Sequence, residues 1–247
     1  MKPDKVRHDP VFMREHWESE ATEYVLERQF SAVDAKVVET LRMKSGERLL
    51  EIGFGSCVTA PAIISAHPGI SYYGLDLANK FTEIGRHKDL PSAYFLMGSA
   101  AQLPFAAASF DAALEMDAIH HFPKEYLPGV LNEISRALRP AGRLLLVEDW
   151  AAPPQNEPER LMDRLQRRRH LTRRGLEYHP NESEWIAMLV SAGFELMDLC
   201  RVPRPLNFGR FEELDDYEAQ EELSQLRRLW DQDLPTTRMS LFYCRKR

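Results

Sequence analysis

Short apolar runs recur along the chain between glycine, proline and polar clusters, and stretches with apolar residues at helical spacing separate them. Within Arg48 to Ile52 a short apolar run and an acid, Glu51, read as a buried strand. It leads through Gly53-Phe54-Gly55-Ser56-Cys57 into a helix expected from Val58 to Ala66, which His67-Pro68-Gly69 breaks. Ser71 to Asp76 reads as a second strand, and a helix from about Ala78 to Lys88 follows. Third and fourth strands are expected at Ala93 to Met97 and Phe110 to Met116, then a helix from Lys124 to Leu138 and a fifth strand from Arg143 to Val147. Strands alternating with helices predict a parallel sheet covered on both faces, with ligands at the carboxyl ends of its strands.

Upstream, Phe12, Trp17, Tyr24, Val25 and Phe30 lie among many charges, which predicts one or two amphipathic cap helices between Pro10 and Phe30. Ser31 with Asp34 resembles an N-cap, followed by Val33, Val37, Val38 and Leu41 at helical spacing up to Gly46. Downstream, Ala151 to His179 breaks the rhythm. Pro153, Pro154 and Pro158 precede a basic stretch with Arg160, Arg164, Arg167, Arg168, Arg169, Arg173 and Arg174, expected as an insertion over the site. Asn181 and Glu184 form a capping box for a helix through Ala192, which Gly193 ends before a sixth strand from Phe194 to Val202. Phe211 to Trp230 reads as an acidic helical stretch and Met239 to Cys244 as a seventh strand. The expected fold is α/β and Rossmann-like: a seven-stranded, mostly parallel sheet with helices on both faces. One domain over 1–247 is expected, with cap helices in 1–45, a core in 46–150, and insertions over or beside the site in 151–180 and 203–236.

Composition changes this picture little. A chain of 247 residues can bury a substantial core, its N-terminus is charged, and no apolar run approaches the length of a membrane span, so a cytoplasmic protein is expected. Cys57, Cys200 and Cys244 are odd in number and show no CxxC or Cys/His spacing, which argues against a disulfide framework and a zinc site; no metal is expected. A net charge of −6 gives no general reason to expect nucleic acid.

The chemistry is concentrated in Arg48 to Cys57. An acid-x-Gly-x-Gly pattern (Glu51, Gly53, Gly55) between strand and helix marks a turn where a missing Cβ lets a ligand approach the backbone and the helix N-terminus. Val58 stands where the dinucleotide fingerprint needs its third glycine, and no Gly-Lys-Ser/Thr is present, so both phosphate-binding loops are disfavoured.

On these residues the chain resembles the class I S-adenosylmethionine-dependent methyltransferases, particularly the subgroup similar to the ubiquinone/menaquinone C-methyltransferases. Similarity is closest from Leu49 to Val147, through LLEIGFGSC, GSAAQLPF, FDAALEMDAIHHF and EISRALRPAGRLLLVE in that order. The resemblance implies S-adenosylmethionine as cofactor and S-adenosylhomocysteine as product. Gly53, Gly55 and Cys57 would admit the methionine part, with Glu51 helping to hold its ammonium. Asp76, 23 residues beyond Gly53, would accept both ribose hydroxyls, and Leu77 would lie against the adenine. Gly98, Ser99 and Ala100 would read the adenine edge, and Glu115 could face the methionine part. Two positions depart from the pattern: Cys57 replaces a glycine and Ser99 an acid, changes that weaken the turn's fit and the charge at the adenine edge.

The donor is already a reactive sulfonium, so the protein mainly has to align an acceptor and exclude water. Asp117, His120 and His121, just past the fourth strand, are candidate catalytic residues; Tyr24, Glu148 and Trp150 are candidate substrate contacts, with Asp149 beside the last two. Each has a structural alternative, such as a hydrogen-bonded strand end or a packed cap helix. The expected function is in-line methyl transfer to a small-molecule acceptor, with monomer and homodimer both open. A non-catalytic cofactor-binding or interaction protein on the same scaffold is the alternative. RNA methylation comes third, because the arginines read first as a solvated face pairing with Glu212, Glu213, Asp215 and Asp216.

Overall fold

A computed structural model describes residues 10–172, 178–205, 211, 214, 216–229 and 236–247. The described strands form one seven-stranded sheet of order β3-β2-β1-β4-β5-β7-β6. They are β1 (Arg48–Ile52), β2 (Ser71–Asp76), β3 (Ala93–Met97), β4 (Phe110–Met116), β5 (Leu138–Glu148), β6 (Phe194–Pro205) and β7 (Thr236–Lys246). The first five run parallel, while β7 pairs antiparallel with both β5 and β6.

Helices cover both faces. Leu49, Tyr72, Ala112, Leu114 and Leu145 meet residues of α2 (Ala32–Leu41), α3 (Ala60–Ala66) and α4 (Asn79–His87). On the other face Leu50, Leu75, Phe110 and Ala113 pack with α5 (Leu127–Ala137) and α7 (Glu182–Ser191), where Trp185 is fully buried. This double coverage explains why Leu49 to Ile52 are all buried, on both faces of β1.

Local signals set several boundaries. Ser31 N–H donates to Asp34 Oδ2 at the start of α2, and Asn181 accepts from Glu184 N–H at the start of α7. α2 ends at Leu41 with Arg42 left-handed, rather than at Gly46, which serves the turn into β1. α3 begins at Ala60 instead of Val58 because Cys57 also takes a positive φ. The sixth strand runs past Val202 to Pro205. As the edge strand, with only β7 beside it, β6 tolerates Pro203 and Pro205, which a central strand would not.

Pro10 to Glu27 is a single 18-residue helix, α1. It lies across the carboxyl ends of β1 and β2: Glu18 accepts from the N–H groups of Asn79 and Lys80 at the start of α4, and Trp17 and Tyr24 pack against Phe81. α6 (Glu157–Thr172) and α8 (Tyr217–Leu229) share a smaller core of Leu161, Met162, Leu165, Ala219, Leu223 and Leu226. The arginine run pairs along this helix pair: Arg160 with Glu157, Arg164 with Glu222, Arg167 with Asp163, and Arg168 with Asp216 and Glu218. Glu212, Glu213, Asp215, Arg173 and Arg174 lie outside the described residues. No described helix is long and apolar enough to cross a membrane.

Candidate active site

The turn after β1 is left-handed at three positions, with φ of +68° at Gly53, +50° at Gly55 and +55° at Cys57. Its two glycines also face the protein's own chain. A Cβ on Gly53 would stand 2.3 Å from Ala118 Cβ, and one on Gly55 would stand 3.1 Å from the ring of Tyr24. Cys57 is buried, and burial pushes its thiol up to about 12, so it acts as a small packed residue and not as a nucleophile.

Asp76, at the end of β2, holds this turn to the next. Its Oδ2 accepts from Gly55 N–H at 3.0 Å and its Oδ1 from Ala78 N–H at 3.1 Å. Burial nevertheless raises its carboxyl to about 6. Gly98 N–H donates to Asp76 O, which sets Gly98, Ser99 and Ala100 beside Asp76 and Leu77. Gly98 has no room for a Cβ, with Leu75 Cδ1 at 2.8 Å, and Ser99 Oγ accepts from Ala101 N–H.

Beneath α1 lies a cavity of about 280 Å³, whose lining includes Tyr24, Arg28, Glu51, Gly53, Asp117 and Arg204. Glu51 takes a 2.6 Å hydrogen bond from Tyr72 Oη, yet burial raises its carboxyl to about 7. Arg28 is anchored by Asp34, which also accepts from Thr59 Oγ1 at 2.6 Å. A groove of about 490 Å³ between α4 and β3 is larger, but none of the residues predicted from the sequence lines it.

Beyond the cavity, the ends of β4 and β5 carry a dense polar cluster. Asp117 takes a φ of +58° and Arg204 Nη1 donates to its Oδ2 at 2.7 Å. Arg204 also stands 3.6 Å from Asp149 Oδ2. His120 Nδ1 lies 2.8 Å from Glu148 Oε2, and His179 Nδ1 lies 3.0 Å from Asp149 Oδ1. The rings of His120 and His179 stack with centroids 4.5 Å apart, while His121 meets Trp17 edge-on at 4.8 Å. Burial and the neighbouring carboxylates of Asp117 and Asp149 push Glu148 well up. Burial acts the same way on Asp149, but His179 outweighs it and holds that carboxyl below the usual range.

Of the residues expected at the site, Tyr24, Glu51, Gly53 and Asp117 line the cavity, whereas Gly55, Cys57, Asp76, Leu77, Gly98, Ser99, Ala100, His120 and His121 do not, nor do three that make other contacts. Glu115 does not line the cavity: fully buried, it accepts from Ala118 and Ile119 N–H and closes the turn after β4. Trp150 packs against Phe211 at the core between α6 and α8, away from the cavity. Glu148 points at His120 rather than into the cavity. Sequence reasoning missed Arg28, His179 and Arg204, which three distant segments bring to the site.

Residues 50–146 match the family model described as "Methyltransferase domain". Over those residues the chain is similar to a methyltransferase domain. It is 32% identical over 149 residues to phthiotriol/phenolphthiotriol dimycocerosates methyltransferase 1 of Mycobacterium ulcerans (strain Agy99), covering 56% of this chain and 54% of the relative. Identity to 27-O-demethylrifamycin SV methyltransferase of Amycolatopsis mediterranei (strain S699) is 27% over 143 residues, covering 56% and 51%. The chain thus spans about half the length of these curated relatives. The crystal structure of a Bacillus halodurans C-125 protein shares the methyltransferase fold at 22% identity and a TM-score of 0.67, covering 87% of this chain and 99% of that one.

Proposed function

We propose that the protein transfers a methyl group from S-adenosylmethionine to a hydroxyl-bearing small molecule. The observation that carries this reading is the cavity between the β1 turn and the Asp117–Arg204 pair, with Asp76 beside it. Its donors suit the cofactor. Glu51 faces the cavity to take an ammonium, Arg28 on the same wall to take a carboxylate, and Asp76 offers two oxygens to a vicinal diol. Leu77 and Gly98 to Ala100 border the adenine side.

When bound, S-adenosylmethionine supplies an already activated methyl on a sulfonium. The chain's own part is to position and to exclude water. α1, with Tyr24 over Gly55 and Trp17 over His121, covers the mouth, so it lifts to admit the cofactor and closes again over it. Asp117, fixed by Arg204, faces the acceptor, and His121 beside it accepts the hydroxyl proton as the oxygen–carbon bond forms and the carbon–sulfur bond breaks. His120, tied to Glu148, supports this wall. The names of the two curated relatives refer to a phthiotriol ester and an O-demethyl rifamycin, which is why we take a hydroxyl acceptor here.

The test is incubation of the purified chain with methyl-labelled S-adenosylmethionine and a panel of lipid, phenolic and polyketide alcohols, with label in product and S-adenosylhomocysteine both measured. Label in an acceptor, lost in His121→Ala, supports the reading. Cofactor binding without turnover on any acceptor favours a binding protein instead.

A further inference from the structure

Four chemistry-bearing side chains from separate parts of the chain converge behind the Asp117–Arg204 wall. His120 comes from the turn after β4, Glu148 and Asp149 from the end of β5, and His179 from the segment before α7. Tyr178 N–H donates to His120 O at 2.7 Å and Glu182 N–H to Ala151 O at 3.0 Å, so backbone bonds on both sides fix His179 in place. One ligand atom from each of the four residues can be chosen so that all lie within 4.8 Å of one another. The two histidine–carboxylate pairs are separated by 2.8 Å and 3.0 Å. Around a six-coordinate ion with bonds of about 2.1 Å, adjacent donors stand about 3.0 Å apart and opposite donors about 4.2 Å. The cluster already has nearly that spacing.

Its charge points the same way. Glu115, Glu148 and Asp149 are buried close to the half-buried Asp117, and the guanidinium of Arg204 reaches Asp117 and Asp149. Glu148 is 1% exposed, and its Oε1 has no hydrogen-bond partner among the described residues. A buried carboxylate oxygen left in this way costs free energy that a cation would recover. From this convergence we infer that His120, Glu148, Asp149 and His179 form a binding site for one divalent first-row transition-metal ion. Two imidazoles with two carboxylates favour manganese, iron, cobalt or zinc over magnesium or calcium, which prefer all-oxygen sites.

Ion binding itself is independent of the methyl-transfer reading. Any role in catalysis rests on that reading: the cluster lies behind the cavity wall, where an ion would fix Asp149 and, through Arg204, the position of Asp117. None of the four residues belongs to the proposed cofactor set, so the two ideas fail separately.

The experiment is calorimetry of the chelator-treated full chain with Mn²⁺, Co²⁺, Zn²⁺ and Mg²⁺ as chlorides, with the visible spectrum of the Co²⁺ form. One equivalent of Mn²⁺, Co²⁺ or Zn²⁺ should bind, more tightly than Mg²⁺. His179→Ala and Asp149→Asn should each weaken binding at least tenfold. Both should retain wild-type S-adenosylmethionine affinity, which doubles as the check that they fold. Absence of saturable binding to the folded wild type overturns the inference without any variant. Binding that survives both substitutions in folded protein overturns the ligand set. Metal binding without cofactor binding would leave this inference standing and sink the methyl-transfer reading.

Discussion

Arg204 Nη1 lies 2.7 Å from Asp117 Oδ2, tying the edge strand β6 to the end of β4 at the cavity wall. The same guanidinium reaches Asp149, which is only 4% exposed. Removing the cation leaves two carboxylates facing each other without it, a larger effect than losing an exposed ion pair. Arg204→Met is therefore expected to cost about 2 kcal/mol in urea unfolding, in the range for a lost charged hydrogen bond. Much of that loss should disappear when Asp117→Asn is added, and additive effects in the double-mutant cycle would show that the pair is not coupled.

Gly53 makes a second prediction. Alanine there must adopt a positive φ and meet Ala118 Cβ, so Gly53→Ala should destabilise the fold by about 2 to 4 kcal/mol. Adding Ala118→Gly relieves the collision but not the backbone strain. Thermal unfolding should thus show a partial rescue, and a full rescue would mean that the conformation costs nothing.

For Glu51 the sign of a pH effect follows from its raised carboxyl. Below about pH 7 the group is protonated in the folded protein, whereas an unfolded glutamate ionises at its ordinary, lower pKa. Folding stability from this group is present at low pH and lost as pH rises through about 7. A cofactor ammonium favours the ionised form, so binding at pH 6 should release protons and tighten as pH rises toward 7. Calorimetry in two buffers of different ionisation enthalpy reads this directly, and Glu51→Gln should reduce the proton release.

Trp150 separates packing from recognition. Its ring belongs to the small core between α6 and α8, so Trp150→Ala should lower stability by about 2 kcal/mol or more while cofactor and acceptor affinities stay unchanged. A rise in KM for an acceptor at unchanged stability would restore it to the substrate site.

The sheet was legible because its strands are short apolar runs between turn signals, and β2, β3 and β4 lie where the pattern puts them. The β1 turn and Asp76 were legible for a related reason: local spacing within one βαβ unit fixes both. What the sequence hid comes from long-range contact. Pro203 and Pro205 read as a strand end, yet an edge strand accommodates them, and that extension delivers Arg204. His179 stands alone in its stretch and gains meaning only when its backbone neighbour Tyr178 bonds to His120. Trp150 looked like a site residue because it follows β5, but its left-handed backbone turns it toward the α6 and α8 pair.

The account depends most on Asp76 as the anchor of S-adenosylmethionine. Calorimetry of the wild type with S-adenosylmethionine and S-adenosylhomocysteine, repeated on a folded Asp76→Ala, tests this directly. Both ligands should bind the wild type at one site, and the substitution should weaken each by about tenfold or more, as loss of hydrogen bonds to a charged acceptor predicts. Equal affinity in the variant, or a folded wild type that binds neither ligand, would contradict it.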